Sequence, residues 1–321
     1  MLNRREWLLG ALAVGAGGRV FAQSYPQRPV RIIVPYLPGG ATDLYARIIA
    51  KNMTDILGQT FIVENKPGAD TMIGAQAAAS ARPDGYTLFY TVAATVTANQ
   101  FLYKNLSYKP EDLIPIGLTG TSRFTLTIDA NLPARNIKEF VDYVKARPGK
   151  VVMATLGPAS GGYLAGKTFE KVYGLDMIEV PYKGSAEAVQ ALLSGTAALY
   201  PDGISGVLQL HKAGKVRIIA VTSKTRSSEL PDVPSTVELG FPDFVVGTWF
   251  ALFAPAGTPP DIVQQLNAAL VKIVNGDEFK SRLLANGIVP ESSTPAELAA
   301  LIRTTTDNTR RMITELKIPP Q

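Results

Sequence analysis

A glycine-containing segment near the start of the chain has the composition of an anion-binding loop. It reads Tyr36-Leu37-Pro38-Gly39-Gly40-Ala41-Thr42-Asp43 and stands between a predicted strand and a predicted helix. Glycines allow a tight turn and a close approach of a ligand to the backbone. The first N–H groups of a helix have no intrahelical partner, and the helix dipole favours negative charge there. The segment therefore predicts a carboxylate or phosphate site, and a purely structural turn capped by Thr42 or Asp43 is the alternative.

A second segment of the same kind lies near the middle of the chain. It reads Thr155-Leu156-Gly157-Pro158-Ala159-Ser160-Gly161-Gly162-Tyr163, and Ser160 is the expected N-cap of the following helix. Parallel sheets bind ligands beyond the carboxyl ends of their strands. We therefore expect the two segments to face each other and to hold two ends of one anion, or the head and body of a monocarboxylate. Neither segment matches the phosphate-binding or dinucleotide-binding glycine patterns.

Four further side chains are candidates for chemistry. The Asp43 carboxylate can itself occupy the helix N-terminus, so we expect it to cap the helix or to hold the loop in place. Tyr200 and Asp202 end a predicted strand, and Asp202 either accepts a hydrogen bond from a ligand or caps the next helix. His211, the single histidine, lies at a predicted helix C-terminus, where a cation complements the dipole.

Enzyme chemistry finds little support in the sequence. There is no cysteine, no Gly-x-Ser-x-Gly elbow and no spaced set of His, Asp and Glu. The sequence therefore predicts no catalytic nucleophile, no metal site, no cofactor and no enzyme activity.

Short apolar runs alternate with helical patterns along the chain, and these elements must position both loops. Such alternation predicts an α/β protein with mainly parallel sheets flanked by helices, one of which is expected at residues 204–213. Two long extended segments, around 124–129 and 244–253, are expected to carry the chain from one lobe to another and back. We therefore predict one lobe from residues 23–123 and 248–321, a second from 124–247, and a hinged cleft between them.

Residues 1–22 have the features of a secretory signal peptide. Arg4 and Arg5 precede a short apolar run, and small residues allow cleavage after Ala22. The paired arginines favour the twin-arginine route, and the general secretory route is the alternative. The segment carries three arginines and one glutamate, so its removal lowers the net charge from +5 to +3. That charge is too small for a nucleic-acid-binding protein, and the mature chain is expected to be soluble outside the cytoplasm.

Short motifs in order along almost the whole mature chain resemble those of the substrate-binding proteins of tripartite tricarboxylate transporters, often called Bug receptors. Each motif alone is modest, whereas their order is specific. They include Tyr25-Pro26-x-Arg28-Pro29, Val34-Pro35-Tyr36-x-Pro38-Gly39-Gly40-Ala41-Thr42-Asp43, Val63-Glu64-Asn65-Lys66-Pro67-Gly68-Ala69, Pro83-Asp84-Gly85-Tyr86-Thr87-Leu88, Val180-Pro181-Tyr182-Lys183-Gly184-Ser185 and Ala254-Pro255-Ala256-Gly257-Thr258-Pro259.

The resemblance implies a periplasmic, type II-like, two-lobe fold of the Venus flytrap kind that closes on a carboxylate. Backbone N–H groups of 38–43 and 155–162, with ordered waters, would hold the ligand. The loop after the strand that ends at Thr91, which includes Ala94, would also line the cleft. The implied partner is a membrane permease with one large and one small subunit, and the receptor is expected to be a monomer.

The second loop departs from the family pattern. Leu156 and Pro158 interrupt its small residues, and Tyr163 stands where family members commonly carry a histidine. Together with Tyr36 and Tyr200, Tyr163 would add aromatic surface, which favours an aromatic or partly apolar carboxylate over citrate. The alternative is that Tyr163 packs into its own lobe.

Three functions remain open at this point. The leading one is a receptor that delivers a small carboxylate, aromatic or dicarboxylic, to a transporter. A periplasmic sensor that feeds a signalling receptor is the second. A hydrolase or transferase on a similar scaffold is the third and lacks a recognisable catalytic pair.

Overall fold

Two sheets that share one long strand form the framework of the molecule. The computed structural model describes residues 25–158 and 160–321, so the predicted signal segment and Ala159 lie outside the described residues. The strands are, in chain order, β1 Val30–Val34, β2 Phe61–Asn65, β3 Thr87–Val92, β4 Leu113–Asp129, β5 Val152–Thr155, β6 Ile178–Pro181, β7 Leu199–Gly203, β8 Val216–Val221, β9 Gly247–Pro255 and β10 Val289–Pro290. The first sheet has the order β2-β1-β3-β9-β4, with β10 beside β4, and the second has β4-β7-β5-β6, with β8 also on β4.

Helices cover the sheets. They are α1 Ala41–Leu57, α2 Met72–Ala79, α3 Ala93–Thr97, α4 Asn99–Leu102, α5 Ile137–Lys145, α6 Gly161–Tyr173, α7 Ser185–Leu193, α8 Leu208–Lys212, α9 Pro260–Asn275, α10 Asp277–Ala285 and α11 Pro295–Glu315. Within the described ranges, no helix combines the length and the apolar composition that a membrane crossing requires.

The strands β4 and β9 connect the two halves of the fold. Residues 113–123 of β4 pair with β9 in the first sheet, whereas residues 124–129 pair with β7 and β8 in the second. The pairs β1–β2, β1–β3, β5–β6 and β5–β7 are parallel, as predicted. Every antiparallel pair of the named strands includes β4 or β9. The molecule thus has the predicted two-lobe α/β fold, and the lobe boundaries at 123/124 and 247/248 stay a prediction.

Both faces of the first sheet are buried along the second half of β1, which explains the apolar run Ile32-Ile33-Val34 after the exposed Arg31. Ile32 packs in a core with residues of α1, α9 and α10, whereas its neighbour Ile33 packs on the opposite face. Successive side chains of a strand point to opposite faces, so a strand covered on both sides is apolar throughout. This packing fixes the direction of β1 and therefore the position of the first glycine loop, which follows it.

Several elements differ from the sequence-based expectation. The helix expected at 204–213 is a 3-10 turn, Ile204–Gly206, followed by the short helix α8, because glycine is a poor helix former. Strand β4 begins at Leu113, well before the predicted extended segment, and its pairing with β9 is irregular around Pro115–Gly117 and Leu118–Gly120. Proline and glycine at such bulges weaken the sequence signal of a strand. The short helices α3 and α4 were not predicted.

Candidate ligand-binding site

The first glycine loop is held in shape by Asp43. Gly39 has a left-handed φ of +89°, and its N–H donates to Asp43 Oδ2 at 2.9 Å. Arg47 Nε donates to the same oxygen at 2.9 Å, and Asn65 Nδ2 donates to Oδ1 at 2.9 Å. Asn65 also donates to the Tyr36 carbonyl at 3.0 Å, which ties the start of the loop to the end of β2.

The charge of Asp43 is compensated within this network. Burial alone would raise the pKa of Asp43, but the three donated hydrogen bonds outweigh burial and hold the pKa below its ordinary value. Arg47 supplies the matching positive charge, so the pair adds little net field at the start of α1. The first intrahelical bond runs from the Leu44 N–H to the Gly40 carbonyl at 3.0 Å. The N–H groups of residues 41–43 precede that bond and are therefore the donors that the helix N-terminus offers an anion.

The predicted loop residues differ in exposure. Pro38, Gly39 and Gly40 are exposed, Ala41 is half-buried and Thr42 is buried. An anion can therefore reach the loop from its exposed proline and glycine side.

The second glycine loop is capped as predicted. Ser160 Oγ accepts the N–H of Tyr163 at 3.1 Å and donates to the Gly157 carbonyl at 2.8 Å. Gly157 has a φ of +89°, and its N–H lies 3.4 Å from the Oγ1 of the buried Thr155. The loop is therefore turned and closed by its own hydroxyl groups.

Gly161 and Gly162 have a packing role at the start of α6. A Cβ atom on Gly161 would meet the Phe124 ring, and one on Gly162 would meet the Pro201 carbonyl oxygen. The start of α6 therefore lies directly against β4 and β7, which only glycine permits at these two positions.

The end of β3 joins the first loop through a buried set of hydroxyl groups. Tyr36 is half-buried, and burial raises its pKa to about 12 although Thr91 and Thr95 offer it hydrogen bonds. Thr91 Oγ1 and Thr95 Oγ1 lie 2.8 Å apart, and Thr95 donates to Thr71 Oγ1 at 3.0 Å. Thr91, a predicted site residue, is thus fully buried beneath the first loop.

The second loop reaches the same region from the other lobe. Ala94 and Tyr163 both pack against a small hydrophobic cluster made of Ala98, Leu102, Leu164, Ile313 and Ile318. Leu164 belongs to α6, whereas the other members lie between α3 and α4, in α4, in α11 and just after α11. The structure therefore places Tyr36, Thr91, Ala94 and Tyr163 around one junction, between β3 and α3.

The Tyr163 side chain contacts a hydrophobic cluster and also lies near a charged residue. Its ring packs against the cluster just described, and burial followed by the charge of Glu179 raises its pKa to about 12. Lys167 lies between Glu179 and Glu170 and neutralises part of this charge. Tyr163 thus packs across the junction and not only into its own lobe.

Tyr200 and Asp202 lie beside the start of α6 but do not form an open aromatic surface. Tyr200 is fully buried in the core of the second lobe, and its hydroxyl donates to Asp202 Oδ2. Ser185 Oγ donates to the same oxygen at 3.0 Å. Burial raises the pKa of Asp202. Asp202 therefore accepts two hydrogen bonds within its own lobe and does not cap the 3-10 turn that follows, and its role toward a ligand stays a prediction.

His211 has a structural role, but not as the expected cation. Its Nδ1 accepts the N–H of Ile218 at 3.2 Å, so that nitrogen carries no proton. Burial lowers the pKa of His211, and the neighbouring Arg217 and Lys212 lower it further. The side chain joins the end of α8 to β8 in the neutral form.

Sequence reasoning did not single out Asn65, Thr71 and Thr95 as residues that shape the site. Asn65 belongs to one of the motifs that carry the family resemblance, and that motif is the signal by which its role could have been found. Thr95 follows Thr91 by four residues, across the end of β3, and a polar residue in the short helix α3 does not by itself indicate a buried network.

Comparison with known proteins identifies the family. The profile of the tripartite tricarboxylate transporter family receptors matches residues 45–318. Protein BugT of Bordetella pertussis is 35% identical over 290 residues, which cover 90% of this chain and 89% of BugT.

Two solved structures share the whole fold. The R. palustris protein Rpa4515, solved with adipate, has a TM-score of 0.87 and 28% identity, and the match covers 92% of this chain and 100% of that one. MatC from Rhodopseudomonas palustris, solved with malate, has a TM-score of 0.82 and 31% identity, with coverage of 90% and 100%. The chain therefore belongs to the tripartite tricarboxylate transporter family receptors, the periplasmic binding proteins that include the Bug proteins.

Proposed function

We propose that this protein captures a small carboxylate between its two lobes and delivers it to a membrane permease. The observation that carries the proposal is that the end of β3 and the start of α3 lie close to both glycine segments: Thr91 lies beside Tyr36 of the first, and Ala94 shares a hydrophobic cluster with Tyr163 of the second. Lobes of residues 23–123 with 248–321, and of 124–247, would then close around a ligand held at that junction.

A carboxylate suits the donors that the loops present. The start of α1 offers backbone N–H groups, and the Arg47 charge already compensates Asp43. The start of α6 offers the N–H groups of Gly161 and Gly162 next to the Ser160 cap. Two helix N-termini favour an anion with a negative group at each end, which a dicarboxylate provides.

The aromatic alternative has less support than a dicarboxylate. Tyr200 is buried, and Tyr163 already contacts Glu179 and the hydrophobic cluster around Leu164. Tyr36 is therefore the one of the three tyrosines that remains to give a ligand an aromatic surface. The two relatives solved with ligands hold adipate and malate, which are aliphatic dicarboxylates. We therefore place an aliphatic dicarboxylate first and an aromatic acid second.

Delivery requires export and a membrane partner. The signal-like residues 1–22 and the family support a periplasmic location after cleavage near Ala22. The family also supports a permease with one large and one small subunit as the partner. We propose that the protein acts as a monomer, without a cofactor and without catalysis.

A thermal-shift screen of the mature protein tests this function. The compounds are aliphatic di- and tricarboxylates, aromatic acids, amino acids, sugars and phosphates. A ligand that binds only the folded state at a hundredfold excess over its Kd stabilises by about 2.7 kcal/mol. Stabilisation confined to carboxylates supports the proposal, and the stronger of the aliphatic and aromatic sets identifies the ligand class. Stabilisation by sugars or phosphates alone would overturn it.

A further inference from the structure

A polar concavity lies at the end of the first sheet where β1 and β3 begin. It has a volume of about 300 Å³, and its walls include Arg28, Arg31, Arg82, Asp84 and Tyr86. The first glycine loop follows the opposite end of β1, a strand of five residues. At about 3.3 Å per residue, the concavity and that loop are on the order of 17 Å apart.

The concavity is built by two sequence motifs that the ligand site does not use. The Tyr25 hydroxyl donates to the Gly85 carbonyl at 2.7 Å, and the Tyr25 and Tyr86 rings meet edge to face at 5.3 Å. The Tyr86 hydroxyl accepts the N–H of Gln27 at 3.0 Å. The segments around residues 25–29 and 83–88 are therefore fixed against each other.

Guanidinium groups are held in place against these two segments. The Arg28 guanidinium lies 3.9 Å above the centre of the Tyr86 ring and donates to Asp84 Oδ2 at 2.9 Å. Arg82 Nε is 3.7 Å from the same oxygen, and 81% of the Arg82 side chain is exposed. One carboxylate thus faces two guanidinium groups.

Strand β1 adds a third guanidinium to the lining. Arg31 Nη1 lies 3.0 Å from the Oε2 atom of Glu64, a residue outside the lining. Among the lining residues, three arginines accompany one carboxylate, that of Asp84, so the lining itself carries an excess of two positive charges. Each guanidinium has five N–H donors and therefore keeps donors for a further oxygen ligand.

We propose that this concavity is a second anion site, separate from the glycine loops, and that it receives the carboxylate side chain of an acidic segment on a partner protein. Arginine binds a carboxylate in a bidentate manner, and the Tyr86 ring holds Arg28 ready for it. A water molecule occupies about 30 Å³ of liquid, so a concavity of this size holds more than a bare ion. The choice of a protein partner rests on the proposed delivery function, because docking here leaves the distant glycine loops clear.

An NMR titration of the full mature protein tests the site. The backbone amides of residues 84–87 report the binding of three probes at matched ionic strength: sodium sulfate, a capped peptide of alternating glutamate and glycine, and its glutamine counterpart. We expect saturable shifts with the acidic peptide, weaker binding of sulfate and none of the glutamine peptide. Equal or tighter binding of sulfate would overturn the partner assignment, and the absence of saturable shifts at 84–87 would overturn the site.

Matched variants separate the site from general charge effects. Arg28→Gln with Arg82→Gln should weaken peptide binding at least about fivefold. Arg303→Gln with Arg311→Gln removes the same charge from the exposed side of α11 and should change the Kd by less than about twofold.

Asp84→Asn keeps the Oδ1 acceptor for the Tyr86 N–H, which lies 3.1 Å away, but frees both guanidinium groups, so it should tighten binding. Equal weakening in both double variants, or weaker binding in Asp84→Asn, would contradict the proposal. Failure of the carboxylate screen would leave these titrations unaffected, so the two proposals fail separately.

Discussion

Asp43 and Gly39 are joined by a hydrogen bond of 2.9 Å that closes the first glycine loop onto the helix it precedes. The carboxylate that seemed to compete with an anionic ligand instead shapes the loop that would receive one. Arg47 balances its charge, and Asn65 ties it to β2. The helix N-terminus is therefore left to a ligand.

Replacement of Asp43 by asparagine should weaken both the fold and ligand binding. An amide nitrogen would face a donor where the carboxylate now accepts, so we expect the free energy of unfolding to fall by about 1.5–3 kcal/mol. Chemical denaturation measures this loss. Arg47→Gln is the control, because it removes the ion pair but keeps the hydrogen bonds that Asp43 accepts from Gly39 and Asn65, so we expect a smaller loss. Equal losses in both variants would show that the ion pair, and not the loop bonds, matters.

The lowered pKa of Asp43 predicts a pH dependence of stability. A carboxyl whose pKa is depressed in the folded state stabilises fully above its unfolded value, here 3.8, and the stabilisation is lost as pH falls through the folded value. The difference in unfolding free energy between the wild type and Asp43→Asn should thus be constant above about pH 5 and shrink below about pH 4. A difference that stays constant down to pH 3 would contradict the assignment.

Loss of the Ser160 cap should loosen the second loop. Ser160→Ala removes the acceptor of the Tyr163 N–H and the donor to Gly157, which costs about 1 kcal/mol of stability. Ligand affinity, measured by calorimetry, should fall by about three- to tenfold. Thr294→Ala removes the N-cap of α11 and should cost similar stability with unchanged affinity. Unchanged affinity in Ser160→Ala would remove this loop from the site.

The close approach of α6 to β7 makes Gly162 intolerant of a side chain. In Gly162→Ala the new methyl group meets the Pro201 carbonyl oxygen, a backbone atom with little freedom to move. We expect a loss of about 1–3 kcal/mol in the free energy of unfolding. Gly206→Ala, with nothing within 4 Å of the added atom, should stay within about 0.5 kcal/mol of the wild type. Equal tolerance of both changes would mean that α6 lies farther from β7.

The fold class and the two glycine loops could be predicted because local signals agreed with each other. A buried strand, paired glycines and an amphipathic helix follow one another at both loops, and Ser160 is the predicted cap. Strand β4 was predicted only in its second half, because Pro115, Gly117 and Gly120 interrupt the first half where it bulges against β9.

The roles of single polar residues could not be predicted, because they depend on contacts between distant segments. Asp202 pairs with Ser185 over 17 residues, and Thr95 pairs with Thr71 over 24 residues, and no local pattern encodes these intervals. The burial of Tyr200 likewise follows from the packing of the second lobe. The ligand class therefore rests on the geometry of the loops and not on the count of aromatic residues.

A crystal structure of the mature protein with the carboxylate that stabilises it most tests the central claim most directly. Our account predicts a ligand between the lobes with carboxylate oxygens within hydrogen-bond distance of N–H groups from both residues 41–43 and residues 161–162. A ligand bound elsewhere, or held by only one of the two loops, would contradict it.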